Sequence, residues 1–114
     1  MSVKARVFAG AIALMAVTGF AGPAAAQQSQ DVTACINEAK ASPDIQIGGC
    51  TTAIQSGRWK GKDLAWAFSN RGVAYYNKGQ YDRAIQDYDQ AIKLNPSYAN
   101  AIKNRAEAIE KKNK

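Results

Sequence analysis

Small or apolar side chains recur twice at the i, i+4, i+7 spacing of a single helical face within residues 65–98. The first set is Phe68, Gly72 and Tyr75, and the second set is Ala84, Tyr88 and Ala91. Gly79 lies between the two sets and Pro96 follows the second, and both residue types interrupt helices. The pattern therefore predicts two helices that are joined by a short turn and end at Asn95.

The offsets in this stretch resemble those of a tetratricopeptide repeat, a 34-residue helix–turn–helix unit. The matching positions are Phe68, Gly72, Tyr75, Ala84, Tyr88 and Pro96. One position departs, because Arg71 replaces an apolar leucine. Gly72 and Ala84 are expected to meet where the helices cross, and Ala91 to allow a close approach to the next unit. An ordinary helical hairpin is the alternative, but it would not predict all of these offsets at once.

Counting 34 residues in each direction places a related unit on either side of this repeat. Residues 31–64 resemble a decayed repeat, with helices predicted over 31–40 and 45–56 and with Glu38 at the glycine position. Asp63 is expected to cap the first helix of residues 65–98. Residues 99–114 supply a capping helix in which Ile102 matches the position of Phe68. The predicted fold is all-α, a short tetratricopeptide stack of about five helices behind an N-terminal signal peptide.

Residues 1–26 have the three-part form of a secretory signal peptide. Lys4 and Arg6 precede a nearly continuous apolar run over 7–22, and Ala24 and Ala26 occupy the small positions before a cleavage site. An uncleaved membrane anchor is the alternative, but the run is short for a span of about 20 residues. Cleavage after Ala26 predicts a disordered lead-in at 27–30 and no stable membrane insertion. The chain then resembles a small exported bacterial protein, periplasmic or secreted.

Cys35 and Cys50 both follow the predicted cleavage site, and export would place them in an oxidising compartment. Their separation is too long for a C-x-x-C redox pair, and the chain has no histidine to complete a zinc site. We therefore predict a structural disulfide between Cys35 and Cys50, with free thiols as the alternative. In the repeat register this bond joins the two helices of residues 31–64.

The formal net charge is +6, and loss of Lys4 and Arg6 would lower it to +4. Much of the remaining surplus lies in residues 101–114, where basic side chains suit a helix C-terminus. Such a tail can also attract nucleic acid or an acidic membrane surface. Because no groove-reading motif accompanies it, we predict no nucleic-acid partner.

No set of residues predicts catalysis. The acids Asp82, Asp87 and Asp89 alternate with Arg83 and Gln86, as on an ordinary solvated helix face. A nucleophile, a base and an orienting group cannot be assembled from the sequence. We therefore predict a protein that is not an enzyme, without catalytic residues, metal or cofactor.

The resemblance implies a concave groove that binds a protein or peptide partner, lined by the first helices of successive repeats. Carried over by position, the groove residues are Trp66, Ser69, Asn70, Val73, Asn77, Lys103 and Asn104. Asn70, Lys103 and Asn104 resemble part of a carboxylate clamp, but Glu107 stands where such a clamp would have another cation. Asn70 has an alternative role, a hydrogen bond to the backbone of an adjoining helix.

The two tryptophans are predicted to have different roles. Trp59, in a loop between repeats, is expected to pack over the disulfide, and Trp66 to face the groove. A short stack also leaves apolar ends, so the alternative function is self-association as a homodimer. A place as accessory subunit of an envelope complex is a further alternative.

Overall fold

A computed structural model of the chain describes residues 30–37 and 40–114. The predicted signal peptide, residues 27–29 of the lead-in and Glu38 lie outside the described residues. The α-helices of the described part are α1 (30–36), α2 (Pro43–Gln55), α3 (Ala65–Asn77), α4 (Tyr81–Leu94) and α5 (Ala99–Lys112). A turn of 3₁₀ helix at Gly61–Leu64 leads into α3. No β-strand occurs in these ranges, so the all-α prediction is confirmed there.

Two helix ends near the N-terminus differ from the predictions. Helix α1 is described from Gln30 onward, and it ends before Asn37, whose φ of 60° lies in the left-handed region that asparagine tolerates. The prediction of a helix through Lys40 was therefore wrong. The prediction that Asp63 caps α3 was also wrong, because Asp63 lies within the 3₁₀ turn and Leu64 is the N-cap residue of α3.

The turn between α3 and α4 depends on a glycine. Gly79 has a φ of 76°, and its amide donates to the Tyr76 carbonyl oxygen at 2.9 Å. The Gln80 amide donates to the Tyr75 carbonyl oxygen at 2.9 Å, which completes a Schellman motif. Helix α4 then ends at Leu94, and its C-cap residue Asn95 stands directly before Pro96.

The close crossing of α3 and α4 involves Gly72 and Tyr88. A Cβ atom added to Gly72 would lie 2.6 Å from Tyr88 Cε1, and its nearest neighbours are all atoms of that ring. The predicted pairing of Gly72 with Ala84 is thus replaced by a glycine that makes room for an aromatic ring. Ala91 packs with Ala65 and Ala101, which confirms its close approach to the next unit.

Alanine dominates the core of the described residues, which forms three clusters along the stack. The first contains both cysteines with Ala53 and Ala67, the second is centred on Ala91, and the third contains Tyr88 and Ala108. Tyr88, which is 1% exposed, is the largest fully buried side chain. Helices with so many small residues at their contacts approach closely, and larger, partly buried side chains fill the periphery.

The predicted disulfide is present and joins α1 to α2. The Cα atoms of Cys35 and Cys50 are 4.5 Å apart, and both residues are fully buried. Gln46 Nε2 donates to the Cys35 carbonyl oxygen at 3.0 Å. The helices touch at Gly49, where an added Cβ would lie 2.6 Å from the Asp31 carbonyl oxygen. A covalent bond, a buried hydrogen bond and a backbone contact therefore connect α1 to the stack.

Candidate functional site

A cleft opens between α3 and α5, above the middle of α4. Its volume is about 200 Å³. Its lining residues are Val73, Tyr76, Asn77, Tyr88, Asn104 and Glu107. Helices α3 and α5 are the first helices of successive units, so the cleft lies where the concave face was predicted.

The structure brings together three of the seven predicted groove residues in this cleft, namely Val73, Asn77 and Asn104. Ser69 is only 2% exposed, which leaves it almost no surface for a ligand. Lys103 is exposed on α5 but does not line the cleft. Asn70 is half-buried. Within residues 30–37 and 40–114 its amide has no hydrogen-bond partner, so the backbone-bonding alternative finds no support.

The floor and one wall of the cleft are tyrosine rings. Tyr88 lies at the bottom, in the space that Gly72 leaves open. Burial raises the pKa of Tyr88 above its usual value, and the negative charge of Glu107 raises it further. The Tyr76 ring is half-exposed and packs edge-on against Tyr81, with ring centroids 5.3 Å apart. The cleft therefore has a neutral aromatic floor and a braced aromatic wall.

Glu107 is the one charged residue among those that line the cleft. It is exposed on α5, and two amide side chains, Asn77 and Asn104, lie on the same lining. Amides can both donate and accept hydrogen bonds, whereas an ionised carboxylate only accepts them. The site can therefore hold polar or cationic groups beside an aromatic surface.

Trp66 lies away from this cleft, on the disulfide side of the stack. It packs against the cluster of Cys35 and Cys50, and its ring meets Trp59 at right angles with centroids 5.2 Å apart. Trp59 packs on the same cluster, as predicted, and the Arg58 guanidinium lies 4.8 Å from its ring centroid. The two tryptophans thus cover the crosslinked end of the core together.

Arg71, the departure from the repeat pattern, forms a buried ion pair that the sequence analysis missed. Its guanidinium donates two hydrogen bonds to the Asp87 carboxylate, both at 2.8 Å, and a third to Thr51 Oγ1 at 3.1 Å. It also stacks over the Phe68 ring. The hydrogen bond to Asp87 raises the pKa of Arg71 although burial opposes this. Arg71 therefore links α2, α3 and α4, and Asp87 belongs to this link rather than to the solvated face.

A second, apolar groove runs between α4 and α5. Its lining residues are Asp89, Ile92, Ile102, Arg105, Ala106 and Ile109, and its volume is about 650 Å³. Ile102 is 47% exposed, although the repeat register gave it a core position. None of the helices described in residues 30–37 and 40–114 covers this side of α5. Asp89 and Arg105 form an ion pair across this groove.

Three of the cleft residues were not predicted to line it: Tyr76, Tyr88 and Glu107. Tyr76 stands three residues after Val73, and Glu107 three residues after Asn104, so helical spacing alone could have placed both on the groove side. Tyr88 was assigned to the core, where it is 1% exposed, and it also lines the bottom of the cleft.

Among residues 30–37 and 40–114, no cluster of three or more acidic or cysteine side chains could hold a metal ion. Within the same ranges, no helix combines the length and the apolar character that are needed to cross a membrane.

Residues 65–98 match the family model described as tetratricopeptide repeat. The chain is 39% identical over 62 residues to the tetratricopeptide repeat domain-containing protein PYG7, chloroplastic, of Arabidopsis thaliana, covering 53% of this chain and 20% of that protein. It is 36% identical over 78 residues to the mitochondrial import receptor subunit TOM70 of Mus musculus, covering 64% of this chain and 13% of that protein. The chain thus spans a fifth or less of the length of these relatives. No solved structure matches it.

The helix pair α3–α4, its glycine turn and the terminating proline coincide with the residues that the family model covers. Residues 65–98 therefore match the tetratricopeptide repeat in sequence and in helix arrangement, and repeats of this family mediate protein–protein interaction.

Proposed function

We propose that this protein is an exported, non-catalytic interaction module that binds a segment of a partner protein in the cleft between α3 and α5. The observation that carries the proposal is the cleft itself, where Val73, Asn77 and Asn104 meet on the concave side of the stack. A half-exposed aromatic wall and two amides suit a peptide, which presents both apolar side chains and backbone polar groups.

Two further features support this proposal. The disulfide joins α1 to α2, and Arg71 with its partners Asp87 and Thr51 joins α2, α3 and α4, so the first four helices are fastened together. A pre-organised surface loses less conformational freedom on binding than a mobile one. One relative is named as an import receptor subunit, which is consistent with protein recognition by such repeats.

The predicted signal peptide supports export, with cleavage after Ala26 and a periplasmic or secreted mature chain. Mass spectrometry of the protein from the producing cell tests this part. We expect a chain that starts at Gln27 and lacks two hydrogens at Cys35 and Cys50. A chain that retains residues 1–26 would refute the cleavage.

Affinity capture from the exporting compartment tests the cleft. We expect Asn77→Ala with Asn104→Ala to lose the partner that the unmodified protein captures. Gln86→Ala with Gln90→Ala is the matched control, because it removes two exposed amides from α4 outside the cleft. If both double variants retain every partner, the cleft is not the binding surface.

Self-association is the second candidate, and the exposed Ile102 in the groove between α4 and α5 favours it. A second copy could cover this groove and form a homodimer. Light scattering over a concentration series tests the idea. A mass that stays monomeric from micromolar to millimolar protein would exclude it, and Ile102→Lys should abolish any dimer that forms.

A further inference from the structure

Glu107 differs from the other acids of the helical repeat region in having no ion pair. Helices α3, α4 and α5 carry five acidic residues. Four of them form ion pairs: Asp82, Asp87, Asp89 and Glu110. Glu107 forms none with residues 30–37 and 40–114, although Lys103 and Lys111 stand one helical turn on either side of it. Among the described acids of α3, α4 and α5, the carboxylate that faces the cleft is therefore the one without an ion pair.

The surroundings of Glu107 suit a cation in chemistry as well as in charge. The half-exposed Tyr76 ring, held by Tyr81, offers an aromatic face to which ammonium and guanidinium groups are attracted. Asn77 and Asn104 supply carbonyl oxygens that can accept hydrogen bonds from such groups. The charge of Glu107 also reaches the cleft floor, since it contributes to the raised pKa of Tyr88.

The same geometry disfavours an anionic ligand. Lys103, the cation that a carboxylate clamp would use, is not among the residues that line the cleft. A ligand carboxylate would instead meet Glu107 and experience like-charge repulsion. The charge pattern of this cleft is thus opposite to that of a carboxylate clamp.

We propose that the partner inserts a lysine or arginine side chain into this cleft, with Glu107 as its counter-charge and the Tyr76 ring as its wall. This inference rests on the proposed function, in which the cleft binds a partner segment. The recognised feature is the cationic side chain, and the neighbouring residues of the segment contact Val73 and the two asparagines.

Three blocked peptides of one host sequence test the inference, with lysine, norleucine or glutamate at the central position. Nuclear magnetic resonance titration follows the side-chain amides of Asn77 and Asn104 in the purified protein. We expect the lysine peptide to bind about fivefold more tightly than the norleucine peptide, and the glutamate peptide to bind most weakly.

Glu107→Gln should remove the preference for lysine, and Glu107→Lys should reverse it in favour of glutamate. Glu110→Gln is the matched control, because it removes the same charge from the same helix outside the cleft, and it should leave the preference unchanged.

The outcomes separate this inference from the proposed function. If the norleucine or glutamate peptide binds at least as well as the lysine peptide, the cationic preference is overturned while peptide binding stands. If Glu107→Gln and Glu110→Gln weaken the lysine peptide equally, the effect is one of overall charge and Glu107 has no specific role. If none of the peptides shifts the cleft amides, both the inference and peptide binding in this cleft are refuted.

Discussion

Replacing Arg71 by leucine, the residue type of the repeat pattern, is predicted to destabilise this protein. The substitution removes both hydrogen bonds to the Asp87 carboxylate, and the side chain of Asp87 is only 7% exposed. Removing one partner of a buried ion pair costs about 3–5 kcal/mol, because the remaining charge stays buried without compensation. The Arg71 side chain is 20% exposed, so water partly screens the pair. We therefore expect a loss near the lower end, about 3 kcal/mol.

A double-mutant cycle separates this ion pair from simple packing. Asp87→Leu alone should cost less than Arg71→Leu, about 1–2 kcal/mol, because the longer Arg71 side chain can turn toward water. The double variant Arg71→Leu/Asp87→Leu leaves no unpaired charge, so it should return to within about 1 kcal/mol of the starting protein. Thr51→Val tests the third hydrogen bond and should cost about 1 kcal/mol.

The assay is denaturant unfolding followed by far-ultraviolet circular dichroism at neutral pH, with free energies from linear extrapolation. We expect the losses in unfolding free energy at Arg71 and Asp87 to be strongly non-additive. A variant Arg71→Leu as stable as the starting protein would refute this prediction, and so would a double variant that loses the sum of the two single losses.

Three further predictions concern the core. Gly72→Ala should lose about 1–3 kcal/mol of stability in denaturant unfolding, because the new Cβ would lie 2.6 Å from Tyr88. Gly48→Ala is the control: Gly48 has open space around it, so this variant should gain about 0.5–1 kcal/mol. Equal effects of the two substitutions would refute the close crossing. Burial raises the pKa of Tyr88, so the contribution of this side chain to stability is present below about pH 10 and is lost as the pH rises further. The unfolding free energy of Tyr88→Phe should therefore fall less steeply between about pH 9 and 11 than that of the starting protein. An unchanged slope would contradict this. Removing the disulfide with serine at both Cys35 and Cys50 should lower the unfolding free energy by about 3 kcal/mol relative to the oxidised protein, and an equal stability would show that the crosslink does not constrain the unfolded chain.

Local chemistry made much of this fold predictable from the sequence. The break at Gly79 follows from the left-handed conformation that a helix C-terminus favours, and the end of α4 at Asn95 follows from the proline after it. The Cys35–Cys50 bond was predicted from the expected export of a chain with two cysteines, and the repeat register placed the two residues on adjacent helices. These features depend on residue type and on short separations along the chain.

The side chains that meet across helices were harder to predict. Arg71 and Asp87 are 16 positions apart, and no periodic pattern marks their pairing; the available signal was an arginine at an apolar position, which requires a buried counter-charge. Trp66 packs on the disulfide side of α3 because it contacts the Trp59 ring there. Trp59 lies in a loop whose path the sequence does not specify, so this contact was not predictable. The resemblance to the repeat family located Val73, Asn77 and Asn104 but not every residue of the cleft.

The disulfide makes the helices that it joins harder to open than the rest of the stack. Each helix packs mainly on its neighbours in chain order, so parts of the stack can open separately. The Cys35–Cys50 bond holds α1 to α2, whereas side-chain packing and surface ion pairs hold α5 to the rest of the described residues. Backbone amides of α5 should consequently exchange with solvent deuterium faster than those of α2. Because α5 forms one wall of the cleft, that wall is expected to open more readily than α2. A bound segment that touches Asn104 and Glu107 would slow the deuterium exchange of the α5 amides.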